Sequence, residues 1–257
     1  MDLSGKHGVI LGVANDRSIA WQIAQATHRA GARLALNYQN ERFEEDVRKL
    51  AGQIPESLCM GCDLMRDDQI DHFFEHIEEQ FEGKLDFLVH SVAFAKRQDL
   101  QGRFIDTPRD GFNVAMEVSV HSLVAATRRA FPLMQKVGGG SVMTMSYLGG
   151  QRVMRNYNVM GVAKAALEAA ARYLAADLGP EGTRVNILSP GPVRTVAASG
   201  ISGFKGMLRH AETHSALKRN INPEEVGQAA VFLASDAASG ITGQTLYVDA
   251  GYHIMGL

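Results

Sequence analysis

Two phenols and one amine fall close together in this sequence, at Tyr147, Tyr157 and Lys164. A tyrosine beside a cation has its phenolate form favoured, which suits it to give a proton or a strong hydrogen bond to an oxygen that gains negative charge. Carbonyl and enolate reactions make that demand. Tyr157 and Lys164 lie seven positions apart, close to two helical turns, and this predicts one shared helix face with the two side chains about 10 Å apart along the axis. One ligand could then touch both. The same spacing also suits a tyrosine that caps a core and a lysine in water, so the surroundings must decide.

The elements that would position these groups follow from an alternation of short apolar runs and helical patterns. Strands are expected near His7–Gly12, Arg33–Asn37, Ser57–Cys62, Leu85–Ser91, Gly140–Ser146, Arg184–Leu188 and Thr245–Val248. Helices are expected near Ser18–Ala30, Arg42–Leu50, Asp67–Phe81, Asp110–Gln135, Tyr157–Leu178 and Pro223–Ala234. Such β-α alternation implies parallel strands joined by right-handed crossovers, hence an α/β fold with a doubly wound, Rossmann-like sheet of about seven strands. A chain of 257 residues that is 46% hydrophobic can bury its core as one domain spanning residues 1–257.

Ligands of such sheets bind beyond the carboxyl ends of the strands. At the first end, Gly12 lets backbone approach a phosphate, and Ser18 is placed to cap a helix whose free N–H groups attract an anion, with Ile19 following. At the second end stands Gln39, neutral where an acidic residue would bind a ribose 2′-hydroxyl and a basic one a 2′-phosphate; Arg42 follows three residues on.

Several of these stretches carry a resemblance. Ordinary short-chain dehydrogenases/reductases have Tyr-x3-Lys, whereas here Lys164 follows Tyr157 at x6, and Tyr147 stands ten residues upstream in Ser-Tyr-Leu-Gly. With Gly12-x5-Ser18-Ile19-Ala20, and His90-Ser91-Val92-Ala93-Phe94-Ala95 in place of Asn-Asn-Ala-Gly, the sequence resembles the enoyl-[acyl-carrier-protein] reductases of bacterial fatty-acid synthesis, a divergent branch of that family. The resemblance implies catalysis by Tyr147, Tyr157 and Lys164, with Lys164 also on the cofactor ribose. It implies NADH in preference to NADPH, since a glutamine like Gln39 marks the NADH-using members. Asp63 and Leu64 would meet the adenine, Ser91 and Val92 the nicotinamide ribose, and the turn Val193, Arg194, Thr195, Val196 and Ala197 the nicotinamide and pyrophosphate.

Substrate would border Ala95, Tyr147, Tyr157 and Ala197. It would be covered by a lid near residues 196–210, whose stripe of Ile201, Phe204 and Met207 runs at i, i+3 and i+6. Lys205 and Arg209 could meet an acidic acyl carrier protein. A homotetramer assembled near the last strand is also implied; a cytoplasmic location is expected from the lack of a leader or a bilayer-spanning run. The asparagine that ordinary relatives use in a proton relay is missing from Val118-Ser119-Val120-His121-Ser122, and His121 is given no role. His90 reads as a buried, satisfied histidine. A carbonyl reductase of the wider family and a nucleotide-binding sensor without catalysis are the rival readings.

Composition narrows the partners. A net charge of −2 gives no basic footprint for nucleic acid or an anionic membrane. No run approaches the roughly 20 apolar residues that span a bilayer, and the start of the chain shows no basic leader with a long apolar stretch. The nine histidines lack metal-ligand spacing. Cys59 and Cys62 form the one C-x-x-C; it sits at a strand end rather than at a helix N-terminus that would lower a thiol pKa, and so reads as structural.

Overall fold

The computed structural model describes residues 1–195, 198 and 201–256. Seven strands form one parallel sheet: β1 (His7–Leu11), β2 (Arg33–Tyr38), β3 (Leu58–Gly61), β4 (Phe87–His90), β5 (Ser141–Met145), β6 (Arg184–Pro190) and β7 (Thr245–Val248), in the order β3-β2-β1-β4-β5-β6-β7. Val9 pairs with Ala35 on one side and Leu88 on the other, and Val142 pairs with Leu88 and Val185. Helices cover both faces, so these strands read as nearly unbroken apolar runs. Successive side chains still divide between two cores.

Ile10, Leu34, Leu36 and Val89 pack against α1 (Ile19–Arg29), α2 (Glu41–Ala51) and α8 (Pro223–Ala234). Val9, Leu11, Leu88 and Val185 pack against α3 (Asp67–Gln80), α5 (Ser122–Gln135) and α6 (Asn158–Leu178). Phe73, Phe87 and Ile23 are wholly inaccessible, and burial of each such side chain contributes about 1.5–3 kcal/mol. The strand ends are thereby fixed in a rigid layer. Among the described residues no helix is long and apolar enough to cross a membrane.

Two helical expectations change. The helix predicted over Asp110–Gln135 is α4 (Arg109–Met116) and α5 separated by a π turn at Glu117–His121. The lid stripe does not run along one helix: Gly203 is a left-handed N-cap at φ 80°, so α7 (Phe204–His214) starts at Phe204 and Ile201 precedes it. The face that α7 buries is Leu208 and Ala211.

Candidate active site

The strand order reverses between β1 and β4, and Gly12 and Ser91 leave the sheet there side by side. Ser91 N donates to Leu11 O at 3.0 Å. Gly12 has φ 98°, and a Cβ on it would lie 2.2 Å from Ser91 O, so no side chain fits. Asn37, buried at the end of β2, accepts from Gly12 N at 2.8 Å and donates to Cys62 O at 2.9 Å, tying the ends of β1, β2 and β3 together. Ser18 occupies the N-cap position of α1, but its hydroxyl does not cap that helix. It accepts instead from Ala14 N at 3.1 Å and Asn15 N at 3.0 Å, fastening the loop that leads from Gly12 to half-buried Ile19.

Beyond β2 and β3 opens a cleft of about 690 Å³ lined by Gln39, Arg42, Gly61, Asp63 and Gln69 among others. Asp63 accepts from Met65 N at 3.2 Å and gives its own N–H to Gln69 Oε1 at 2.8 Å. Leu64, only 6% exposed, packs in the core with α3 and α5. Cys59 and Cys62 are free thiols, and burial raises both, Cys62 to about 12, which keeps them protonated as ordinary buried thiols are.

On the other side of the crevice, Tyr147 follows β5 and its ring meets Tyr157 edge-on at 5.2 Å between centroids. Gly149 lets the rings close up, since a Cβ there would lie 2.5 Å from Tyr157 Cδ1. Tyr157 is not within the helix that carries Lys164; it is the N-cap of α6, between left-handed Asn156 and Asn158. Burial first and Tyr147 second push its phenol up, opposite to the phenolate expected beside a cation. Lys164 is itself buried, donating from Nζ to Met145 O at 2.6 Å, and exclusion from water lowers it to about 8 against a smaller opposing effect of Glu168. Glu168 Oε1 accepts from Ser146 Oγ at 2.6 Å and Oε2 from Gln151 Nε2 at 3.2 Å. Tyr147 Oη is buried without a partner among the described residues, and burial also raises its pKa.

An apolar cluster surrounds the phenols. Leu100, Tyr157, Met160 and Ala163 form its buried part, with Ala95, Met116, Tyr147 and Ile201 packed against it. The structure thus gathers Tyr147, Tyr157, Ala95 and Ile201 in one place, while half-buried Phe204 and Met207 lie outside that cluster. Val193 is buried, Arg194 exposed, and Thr195 Oγ1 accepts from Ala198 N at 3.1 Å. Val196 and Ala197 lie outside the described residues.

The family model described as enoyl-(acyl carrier protein) reductase matches residues 12–253. The chain belongs to the enoyl-[acyl-carrier-protein] reductase family. It is 50% identical over 256 residues to the NADH enoyl-[acyl-carrier-protein] reductase FabI of Bacillus cereus, covering 99% of each chain. It is 49% identical over 260 residues to the corresponding FabI of Synechocystis, covering 100% of both. Its fold superposes with a TM-score of 0.97, at 50% identity and full coverage of both chains, on a crystal structure of the Bacillus cereus reductase with NADP+ and an indole naphthyridinone.

Set in this family's frame, four residues outside the sequence reading support the site. Asn37 is a polar side chain near the end of the apolar run Leu34-Ala35-Leu36, a signal that could have revealed it. Ser119, in the π turn where ordinary relatives have their relay residue, accepts from Phe94 N at 3.0 Å and donates to Phe94 O at 3.3 Å, holding the loop that carries Ala95. Glu168 stands one helical turn past Lys164, a spacing visible in the sequence. Gln151 gave no signal. His90 is buried between Thr144 Oγ1 at 2.9 Å and Ser122 Oγ at 2.8 Å, and burial lowers it to about 3, so it is neutral and structural. His121 is exposed.

Proposed function

We propose that this enzyme reduces the carbon-carbon double bond of trans-2-enoyl-[acyl-carrier-protein] thioesters with NADH, the last step of the fatty-acid elongation cycle. The observation that carries the reading is the buried Tyr157 packed edge-on against half-buried Tyr147, on the helix start that leads to buried Lys164 and within an apolar cluster suited to an acyl chain. The chain's residues fit the dinucleotide: Gly12 provides a cradle that a Cβ would fill, and the cleft at Gln39 and Asp63 continues it along the strand ends. Gln39, a neutral amide exposed in that cleft, favours a free 2′-hydroxyl over a phosphate.

Bound NADH supplies the hydride for the β-carbon of the substrate. Tyr157, kept protonated by burial, donates a hydrogen bond to the thioester oxygen as enolate charge gathers there; one such donor in a dry site is worth about 3 kcal/mol. Lys164 spends one of three N–H donors on Met145 O and presents the others, with its charge, to the ribose hydroxyls. Tyr147, whose hydroxyl has no partner among the described residues, assists at the substrate oxygen. Ser91, Val92, Val193 and Thr195 belong to the cofactor wall in this reading, as do Arg194, Val196 and Ala197. Ala95, Ile201, Phe204 and Met207 belong to the acyl wall, together with Ala197.

The acyl carrier protein would meet exposed Lys205 and Arg209 on α7. A homotetramer joined near β7 and a cytoplasmic location complete the proposal. The test is loss of reduced-nicotinamide absorbance with a trans-2-enoyl thioester, run with NADH and with NADPH, and with a simple ketone as control. Oxidation that needs the enoyl thioester and is faster with NADH is expected. Oxidation with the ketone alone would replace the reading with a carbonyl reductase, and tight NADH binding without oxidation would replace it with a sensor.

A further inference from the structure

Asn156 and Asn158 stand on either side of Tyr157, and both hold left-handed backbone, at φ 59° and 27°. Asparagine tolerates that region better than most residues with a side chain, yet the conformation persists only where the surroundings enforce it. Here the surroundings are hydrogen bonds that leave in different directions. Asn156 Nδ2 donates to Ser202 O at 2.8 Å, in the turn before α7. Asn158 Nδ2 donates to Gln101 O at 3.1 Å and to Gly102 O at 3.3 Å, in the loop that follows Leu100. The neighbours of those acceptors, Ile201 and Leu100, are both members of the apolar cluster around Tyr157.

We infer that Asn156 and Asn158 are positioning residues for Tyr157, their two amides tying the phenol's backbone to two separate walls of the acyl cleft. The inference rests on the reading of Tyr157 as the phenol that meets the thioester oxygen. Without the ties, the start of α6 would set the ring's direction alone, and the hydroxyl would no longer be fixed relative to the walls that hold the acyl chain. The amide N–H is the working part; the left-handed backbone is what aims it.

Two kinds of substitution separate these parts. Asn156→Asp and Asn158→Asp keep size and tolerance of the left-handed region but remove the donor. Asn156→Gly and Asn158→Gly remove the donor and relieve the backbone. In all four, kcat with a trans-2-enoyl thioester is expected to fall about tenfold while KM for NADH stays within about twofold. The glycine variants are expected to keep or raise the thermal midpoint of the ligand-free protein, which loss of a merely structural tie would lower. In a Tyr157→Phe background the same substitutions are expected to leave the residual kcat unchanged, because they act through the phenol.

Full turnover in the aspartate variants, with Tyr157→Phe impaired, would overturn the inference and leave the role of Tyr157 standing. An equal drop in the Tyr157→Phe background would do the same. Full turnover of Tyr157→Phe alone would remove the role of the phenol and the inference with it.

Discussion

The two sides of the crevice use opposite materials. At the ends of β1, β2 and β3 the surface is main chain brought close by Gly12 and held by the Asn37 bridge, and the polar side chains beside it, Gln39 and Arg42, are exposed. Beyond β5 the surface is side chain: two phenols and an ammonium, all removed from water, with the ionisation of each displaced by that removal. A main-chain site inherits its rigidity from the sheet and binds through shape. A buried side-chain site gains electrostatic strength from low dielectric, but its groups must then be held by added partners, here Met145 O for Lys164 and the asparagine ties for Tyr157.

The contrast can be broken first on the main-chain side. Gly12→Ala places a Cβ against Ser91 O in a backbone region that alanine avoids, and should cost about 3 kcal/mol in urea unfolding and abolish tight NADH binding. Unchanged stability would mean that the close approach is not rigid. On the side-chain side, the charge of Lys164 titrates near 8, so kcat/KM should fall above that pH by up to about tenfold per unit, and Lys164→Met should remove this limb along with most of the activity.

Stability should move oppositely in the same window. Between about 8 and the ordinary 10.5 the unfolded lysine keeps a proton that the folded one has lost, so the folded protein gains stability as pH rises. Above about 10 the gain reverses, because unfolded tyrosines ionise while Tyr147 and Tyr157 stay neutral. A urea midpoint that falls steadily from pH 8 to 10 would contradict the buried ammonium. The smallest effect is expected at Cys62→Ala, beneath the cleft: about 1 kcal/mol of stability, with turnover within about twofold.

The sheet was readable because its strands are apolar runs separated by periodic helices, and each expected strand is present within two residues of its predicted ends. Candidates at strand ends, such as Gly12, Gln39 and Asp63, were readable for the same reason: topology places them. Burial was harder to foresee. The spacing of Tyr157 and Lys164 argued for an easily ionised phenol, but burial, with Tyr147 beside it, pushes that phenol up. The inward faces of short segments were less readable, since they depend on where a helix starts: Gly203 sets that start after Ile201, which alone of the Ile201, Phe204 and Met207 stripe packs on the Tyr157 cluster, and Leu64 turns into the core. Asn156 and Asn158 gave only the hint of two asparagines around a tyrosine, because left-handed backbone has no periodicity to read.

The central claim is that binding and chemistry reside on different sides of the crevice, and Tyr157→Phe tests it most directly when NADH affinity and enoyl-thioester turnover are measured on one preparation. The account predicts an NADH Kd within about twofold of the parent protein and a kcat lowered about 100-fold. Parent-like turnover, or a loss of NADH affinity as large as the loss of turnover, would contradict it.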